Sequence, residues 1–176
     1  MDIAVVGAHG KVARRLTRRL AQRGDRVRGL VRNPDHTADV EADGAEPVLH
    51  DLEADAVADL AARIRGADAV VFAAGAGPGS GAPRKETVDY GGAVALLDAA
   101  REAGVARYLM VSAMGTDDPP RDDEVFSVYL RAKARADNAL MASDRAWTVV
   151  RPGGLTDDPG TGRVTLARHV SRGPPI

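Results

Sequence analysis

Cysteine is absent from this 176-residue chain. That excludes disulfides, thiolate metal sites and a cysteine nucleophile, and it fits a reducing, cytoplasmic setting. Aromatic residues make up only 3%, too few for a surface that stacks nucleic-acid bases. The net charge is −1, so neither nucleic acid nor an anionic membrane is attracted over long range. No apolar run approaches the ~20 residues of a membrane span. The opening Met1-Asp2-Ile3-Ala4-Val5-Val6-Gly7 lacks the basic start and long apolar stretch of a secretory signal. The histidines at 9, 36, 50 and 169 show no ligand spacing, so no metal site is expected. Lysine is also scarce. It stands only at Lys11, Lys85 and Lys133 in an arginine-rich chain, which makes each of the three notable.

What is present is a regular alternation. Ile3–Val6, Val27–Val31, Glu46–Leu49, Ala69–Ala74, Arg107–Ser112 and Trp147–Val150 are short apolar runs that read as buried strands. Between them lie stretches with helical spacing: 11–22, a short helix opened by Asn33-Pro34-Asp35, 53–65, 85–103 and 124–143. Arg163–Ala167 reads as a short final strand. Such alternation predicts an α/β fold, a doubly wound parallel sheet in a single domain over 1–176. The chain stops directly after its last weak strand, and a further C-terminal segment is expected to close that side.

The first strand runs into Gly7-Ala8-His9-Gly10-Lys11-Val12-Ala13 and then a helix. Gly7 permits a tight turn, Gly10 lets backbone approach a pyrophosphate, and Ala13 is small enough for close packing of helix on strand. Free N–H groups and the positive dipole end of the helix hold the anion. This points to a dinucleotide site, although a plain glycine turn in another doubly wound fold has the same pattern. His9, Lys11 and Val12 lie in or beside the loop. The second strand ends in Val31-Arg32-Asn33. An acid at that end would take the ribose hydroxyls of NAD; Arg32 instead offers a planar charge to a 2′-phosphate, so NADP is expected rather than NAD. Asp51-Leu52 follows the third strand, where adenine sits in such folds. Asp51 reads equally as the N-cap of a helix at 53.

Tyr129 and Lys133 stand at i and i+4 on one helix face. An ammonium beside a phenol lowers its pKa from ~10 toward the working range. Ser112, at the C-terminal end of a parallel strand, is placed to bond a substrate oxygen while Tyr129 passes the proton. The same residues also fit a half-buried surface aromatic and a loop-capping serine.

The chain resembles the short-chain dehydrogenase/reductase superfamily, in its atypical NmrA-like and NAD-dependent epimerase/dehydratase-like group. The resemblance is carried by residues 5–13, by Leu30-Val31-Arg32-Asn33-Pro34, Val71-Phe72-Ala73-Ala74-Gly75 and Val111-Ser112-Ala113, by residues 129–133, and by Val149-Val150-Arg151-Pro152-Gly153. It implies a Rossmann fold and a catalytic group of Ser112, Tyr129 and Lys133. It also implies that Ala73, Ala74 and Gly75 line the nicotinamide ribose and that Pro152 and Gly153 border the nicotinamide. Lys133 would hold ribose hydroxyls as well. One position departs from the family: its usual asparagine appears here as Asp89, a carboxylate that accepts but cannot donate.

Two function classes follow. One is an NADP-dependent oxidoreductase acting on a small carbonyl or hydroxyl compound. The other is a non-catalytic NADPH-binding redox sensor in which Tyr129 and Lys133 only hold ribose. The loops at 75–83 and 113–123 read as movable walls over the cleft or as plain surface connections. The helices at 85–103 and 124–143 are available for a two-fold homodimer.

Overall fold

The computed structural model describes residues 1–167. His169 and the terminal Gly173–Ile176 stretch lie outside the described residues. In chain order the strands are β1 (Asp2–Val6), β2 (Arg26–Val31), β3 (Glu46–Leu49), β4 (Ala69–Phe72), β5 (Arg107–Val111) and β6 (Ala146–Val150). The helices are α1 (Lys11–Gln22), α2 (Thr37–Ala42), α3 (Val57–Ile64), α4 (Ala82–Arg84), α5 (Ala93–Glu102) and α6 (Val125–Met141). A 3₁₀ turn, Pro34–His36, precedes α2.

All strand pairs are parallel, and their order is β3-β2-β1-β4-β5-β6. This is the doubly wound Rossmann arrangement, whose order reverses between β1 and β4. Burial on both faces explains why β1 is apolar from Ile3 to Val6. Ile3 and Val5 join the layer of Ala13, Leu20 and Val40 under α1 and α2, while Ala4 and Val6 join that of Leu60, Ile64, Leu96 and Leu140 under α3, α5 and α6. β6 is one of the two sheet edges, and its Trp147 and Val150 are exposed.

Three elements differ from the sequence expectation. Residues 53–56 are not helical, and α3 starts at Val57. Asp51 Oδ1 accepts from Glu53 N and Asp51 N donates to Asp55 Oδ2, each at 2.9 Å. These local bonds hold a turn that competes with helix, so Asp51 caps that turn and does not cap α3. The helix expected over 85–103 opens as an eight-residue π segment, Lys85–Gly92, ending in Gly91 and Gly92. The wider turn places Lys85, Val88, Asp89 and Gly92 inward. A Cβ on Gly92 would meet Leu52 Cδ1 at 2.9 Å, so glycine lets Leu52 pack directly against this turn. Finally, Arg163–Ala167 forms no strand. Val164 and Leu166 are 71% and 85% exposed and pair with no strand of the sheet.

Candidate functional site

Two adjoining clefts, of about 450 and 720 Å³, open over the C-terminal ends of the strands and share Gly10, Ala73, Ala74, Gly75 and Gly77. Crevices at the strand-order reversal are where ligands bind in open α/β sheets.

At their junction lies the glycine loop. Gly7 has φ 82°, and a Cβ there would sit 2.5 Å from Ala74 Cα. Its N–H and that of Ala8 both donate to Leu30 O at 3.1 Å, which ties the loop to β2. A Cβ on Gly10 would meet Gly7 O at 3.3 Å. No side chain caps α1 and no acid stands in its first turn. Its first N–H groups therefore face the cleft without intrahelical partners. Backbone donors, a positive helix end and two tight glycines suit a pyrophosphate. Val12 lies along the wider cleft. Lys11 Nζ reaches across the lip to pair with Asp157. His9 stacks on His36 at a centroid distance of 3.6 Å, and its Nε2 lies 2.8 Å from Asp39 Oδ2.

Arg32, Asp51 and Leu52 line the smaller cleft, at the ends of β2 and β3. Arg32 Nη1 donates to Glu53 Oε2 at 3.1 Å. The same carboxylate takes Arg84 Nη2 at 2.5 Å and Thr87 Oγ1 at 2.6 Å. These bonds to Arg84 and Thr87 hold the Glu53 carboxyl below its usual range.

The wider cleft gathers Ser112, Tyr129, Lys133, Pro152 and Gly153. Ser112 is buried and its Oγ has no hydrogen-bond partner, a state that needs an explanation in a native site. β6 positions the turn at Pro152: Ser112 N donates to Val150 O at 2.8 Å, and Met114 N to Pro152 O at 2.9 Å. Lys133 Nζ donates to Val111 O and Ala74 O at 3.3 and 3.4 Å, and lies 3.5 Å from Asp89 Oδ1. Burial pushes Lys133 down, against the pull of Asp89. The expected depression of the Tyr129 phenol does not occur. Burial first, then the charges of Asp89 and Asp137, push it up to about 12. Lys133 has its own counter-ion and stands 5.9 Å from the Tyr129 ring centroid, so its charge does not offset that cost.

Comparison with known proteins agrees with this geometry. A family model described as NAD(P)H-binding matches residues 7–174. The chain belongs to the NAD(P)H-binding family. This NAD(P)H-binding chain is 38% identical to the uncharacterized sugar epimerase YhfK of Bacillus subtilis over 98% of its own length and 81% of the relative's. A solved structure of a candidate NAD-dependent epimerase/dehydratase from Bacillus halodurans superposes with a TM-score of 0.90 at 39% identity, covering 97% of this chain and 78% of that one. The oxidoreductase YlbE from Lactococcus lactis follows with a TM-score of 0.80 at 27% identity, covering 92% and 73%. The membership carries the Rossmann fold and a nicotinamide dinucleotide ligand.

Two residues that line the smaller cleft were not singled out from sequence: Glu53 and Arg84. Parallel pairing of Val31 with Leu49 puts the ends of β2 and β3 side by side, so a charge just after β3 falls beside Arg32. That adjacency was the available signal for Glu53. Asp89 takes a role that fits a carboxylate. Its Oδ2 accepts from Ala76 N at 3.2 Å and its Oδ1 faces Lys133.

Proposed function

We propose that this protein is a cytoplasmic NADP(H)-dependent oxidoreductase that reduces the carbonyl of a small molecule. The observation that carries this reading is the unpartnered, buried Ser112 hydroxyl in the same cleft as Tyr129 and Lys133. A serine hydroxyl left dry and unbonded costs about 1–3 kcal/mol, and a substrate oxygen would satisfy it.

When bound, the dihydronicotinamide supplies a hydride to the carbonyl carbon. Tyr129 holds its proton at neutral pH, because its pKa is near 12. It gives that proton to the carbonyl oxygen as negative charge develops there, and solvent restores it. Ser112 donates a second hydrogen bond to the same oxygen. Lys133 is held by Asp89 and two backbone carbonyls, which take its three donors, so a ribose hydroxyl would reach it by replacing one of them. The glycine loop and α1 take the pyrophosphate, and Arg32 faces the 2′-phosphate. A phenol that stays protonated suits the reductive direction better than the oxidative one.

The test is NADPH oxidation at 340 nm across a panel of aldehydes, ketones and quinones, repeated with NADH. Turnover with NADPH in excess of that with NADH supports the reading. Tight NADPH binding with no oxidation across the panel would favour the non-catalytic sensor.

A further inference from the structure

The wider cleft holds one cation that the reduction does not use. Lys85, the first residue of the π segment, is 8% exposed and lines the cleft beside Tyr129. Its Nζ donates to Gly77 O at 2.9 Å and lies 5.7 Å from the Tyr129 ring centroid. Four charged side chains line this cleft: Lys11, Lys85, Asp89 and Lys133. Lys11 is balanced by Asp157 and Lys133 by Asp89. Lys85 has no carboxylate within 4.0 Å among the described residues, since no ion pair forms to it. An ammonium carries three donors, and one hydrogen bond engages Lys85.

Burying a charge without a counter-ion is costly unless something compensates it. Here the uncompensated charge faces an open cleft. Both ammoniums stand within 6 Å of one phenol ring centroid, yet only Lys133 is paired with a carboxylate. A carboxylate on the substrate would supply the missing charge. With its carbonyl oxygen at Ser112 and Tyr129, the substrate's anionic group would lie a few bonds away at Lys85.

We propose that Lys85 is the anion-binding residue of the substrate site and that the substrate is a small carboxylate-bearing carbonyl compound. This rests on the reductase reading for the carbonyl, but the anion subsite is measurable without turnover. The lysine's bond to Gly77 O also anchors the 75–81 loop, so an arriving carboxylate would bind against a wall already tied to it.

The test uses benzoate and benzamide, which share a shape and differ by one charge. Each is titrated by calorimetry into NADP⁺-saturated wild-type protein and into Lys85→Gln, whose amide can still donate to Gly77 O. Benzoate should bind wild type at least about tenfold tighter than benzamide, in line with a charge-assisted hydrogen bond. Lys85→Gln should erase that preference, and Lys85→Arg should keep most of it. Equal binding of the two probes by wild type overturns the proposal even if no variant folds. A preference that survives Lys85→Gln overturns it too, as does a Lys85→Gln variant that loses NADP⁺ affinity to the same extent as benzoate affinity. A benzoate preference lost in Lys85→Gln, in a protein that oxidises no NADPH, would leave the anion site standing and sink the reduction instead.

Discussion

Lys133 Nζ lies 3.5 Å from Asp89 Oδ1, with 4% and 1% of the two side chains exposed. This pairing decides the chemistry of the phenol four residues earlier. A lysine whose charge is matched within its own buried pair does little to stabilise a phenolate nearby, and Tyr129 stays protonated. Asp89→Ala removes the match and leaves Lys133 as a buried, unbalanced charge. The variant should lose stability, and where it folds, the Tyr129 phenol should ionise at lower pH. The check is the wild-type-minus-Tyr129→Phe phenolate absorbance, compared with the same difference on the Asp89→Ala background.

Alkaline stability should reflect the same cluster. The Tyr129 pKa is raised from 10 to about 12, so its contribution is fully present below pH 10 and is lost between pH 10 and 12. Lys133 is shifted the other way, so its burial cost declines as pH rises from its lowered value toward 10.5. In native protein at pH 10, wild type and Tyr129→Phe should show equal phenolate absorbance. A clear excess in wild type would mean the phenol is already ionising.

Cofactor selectivity should turn on Arg32 and Glu53. Glu53 pairs with the Arg32 guanidinium, the group proposed to meet a 2′-phosphate. Arg32→Ala should weaken NADP binding about ten- to a hundredfold while changing NAD binding little. Glu53→Gln should tighten NADP relative to NAD. Calorimetry with both dinucleotides checks each variant, and equal losses for NADP and NAD in Arg32→Ala would contradict the assignment.

The glycine loop makes a sharper steric prediction. Gly7→Ala puts a methyl 2.5 Å from Ala74 Cα at φ 82°, and should cost roughly 2–4 kcal/mol in stability. Because Ala74 lines both clefts, dinucleotide affinity should fall as well. Denaturant unfolding and NADPH titration read the two effects separately.

The loop at 113–123 owes its position to a buried carboxylate. Asp137 accepts from Thr116 Oγ1 at 3.1 Å and from Arg151 Nε at 2.9 Å, while Arg151 Nη1 donates to Asp117 at 2.5 Å. Asp137→Ala removes the buried carboxylate from Arg151 Nε and Thr116 Oγ1, leaving Arg151 only Asp117 and Thr116 only Ala113 O, and should cost about 3 kcal/mol by denaturant unfolding. A loss below about 1 kcal/mol would mean that the loop is held by something else.

Much of this was legible in the sequence. Apolar runs of four to six residues separated by helical spacing specify a parallel sheet, and a parallel sheet brings the C-terminal ends of all its strands to one edge. That is why Gly7, Arg32, Asp51 and Ser112, scattered along the chain, could each be placed at one edge of the sheet. The hidden part was pairwise. Whether Lys133 faces Tyr129 or Asp89 depends on the π segment, which no spacing rule announces. The direction of the Tyr129 shift depends on how much water its neighbours exclude. The start of α3 was misplaced because the Asp51 carboxylate accepts from Glu53 N and the Asp55 carboxylate from Asp51 N, a local competition invisible to apolar periodicity.

The central claim is that Tyr129 acts as a proton donor in an NADPH-dependent reduction. The most direct test measures NADPH affinity and NADPH oxidation on the same preparations of wild type and Tyr129→Phe, with a carbonyl substrate found in the panel. The expected result is unchanged affinity within about twofold and a rate lowered by about 10²–10⁴. Undiminished oxidation in Tyr129→Phe would contradict it.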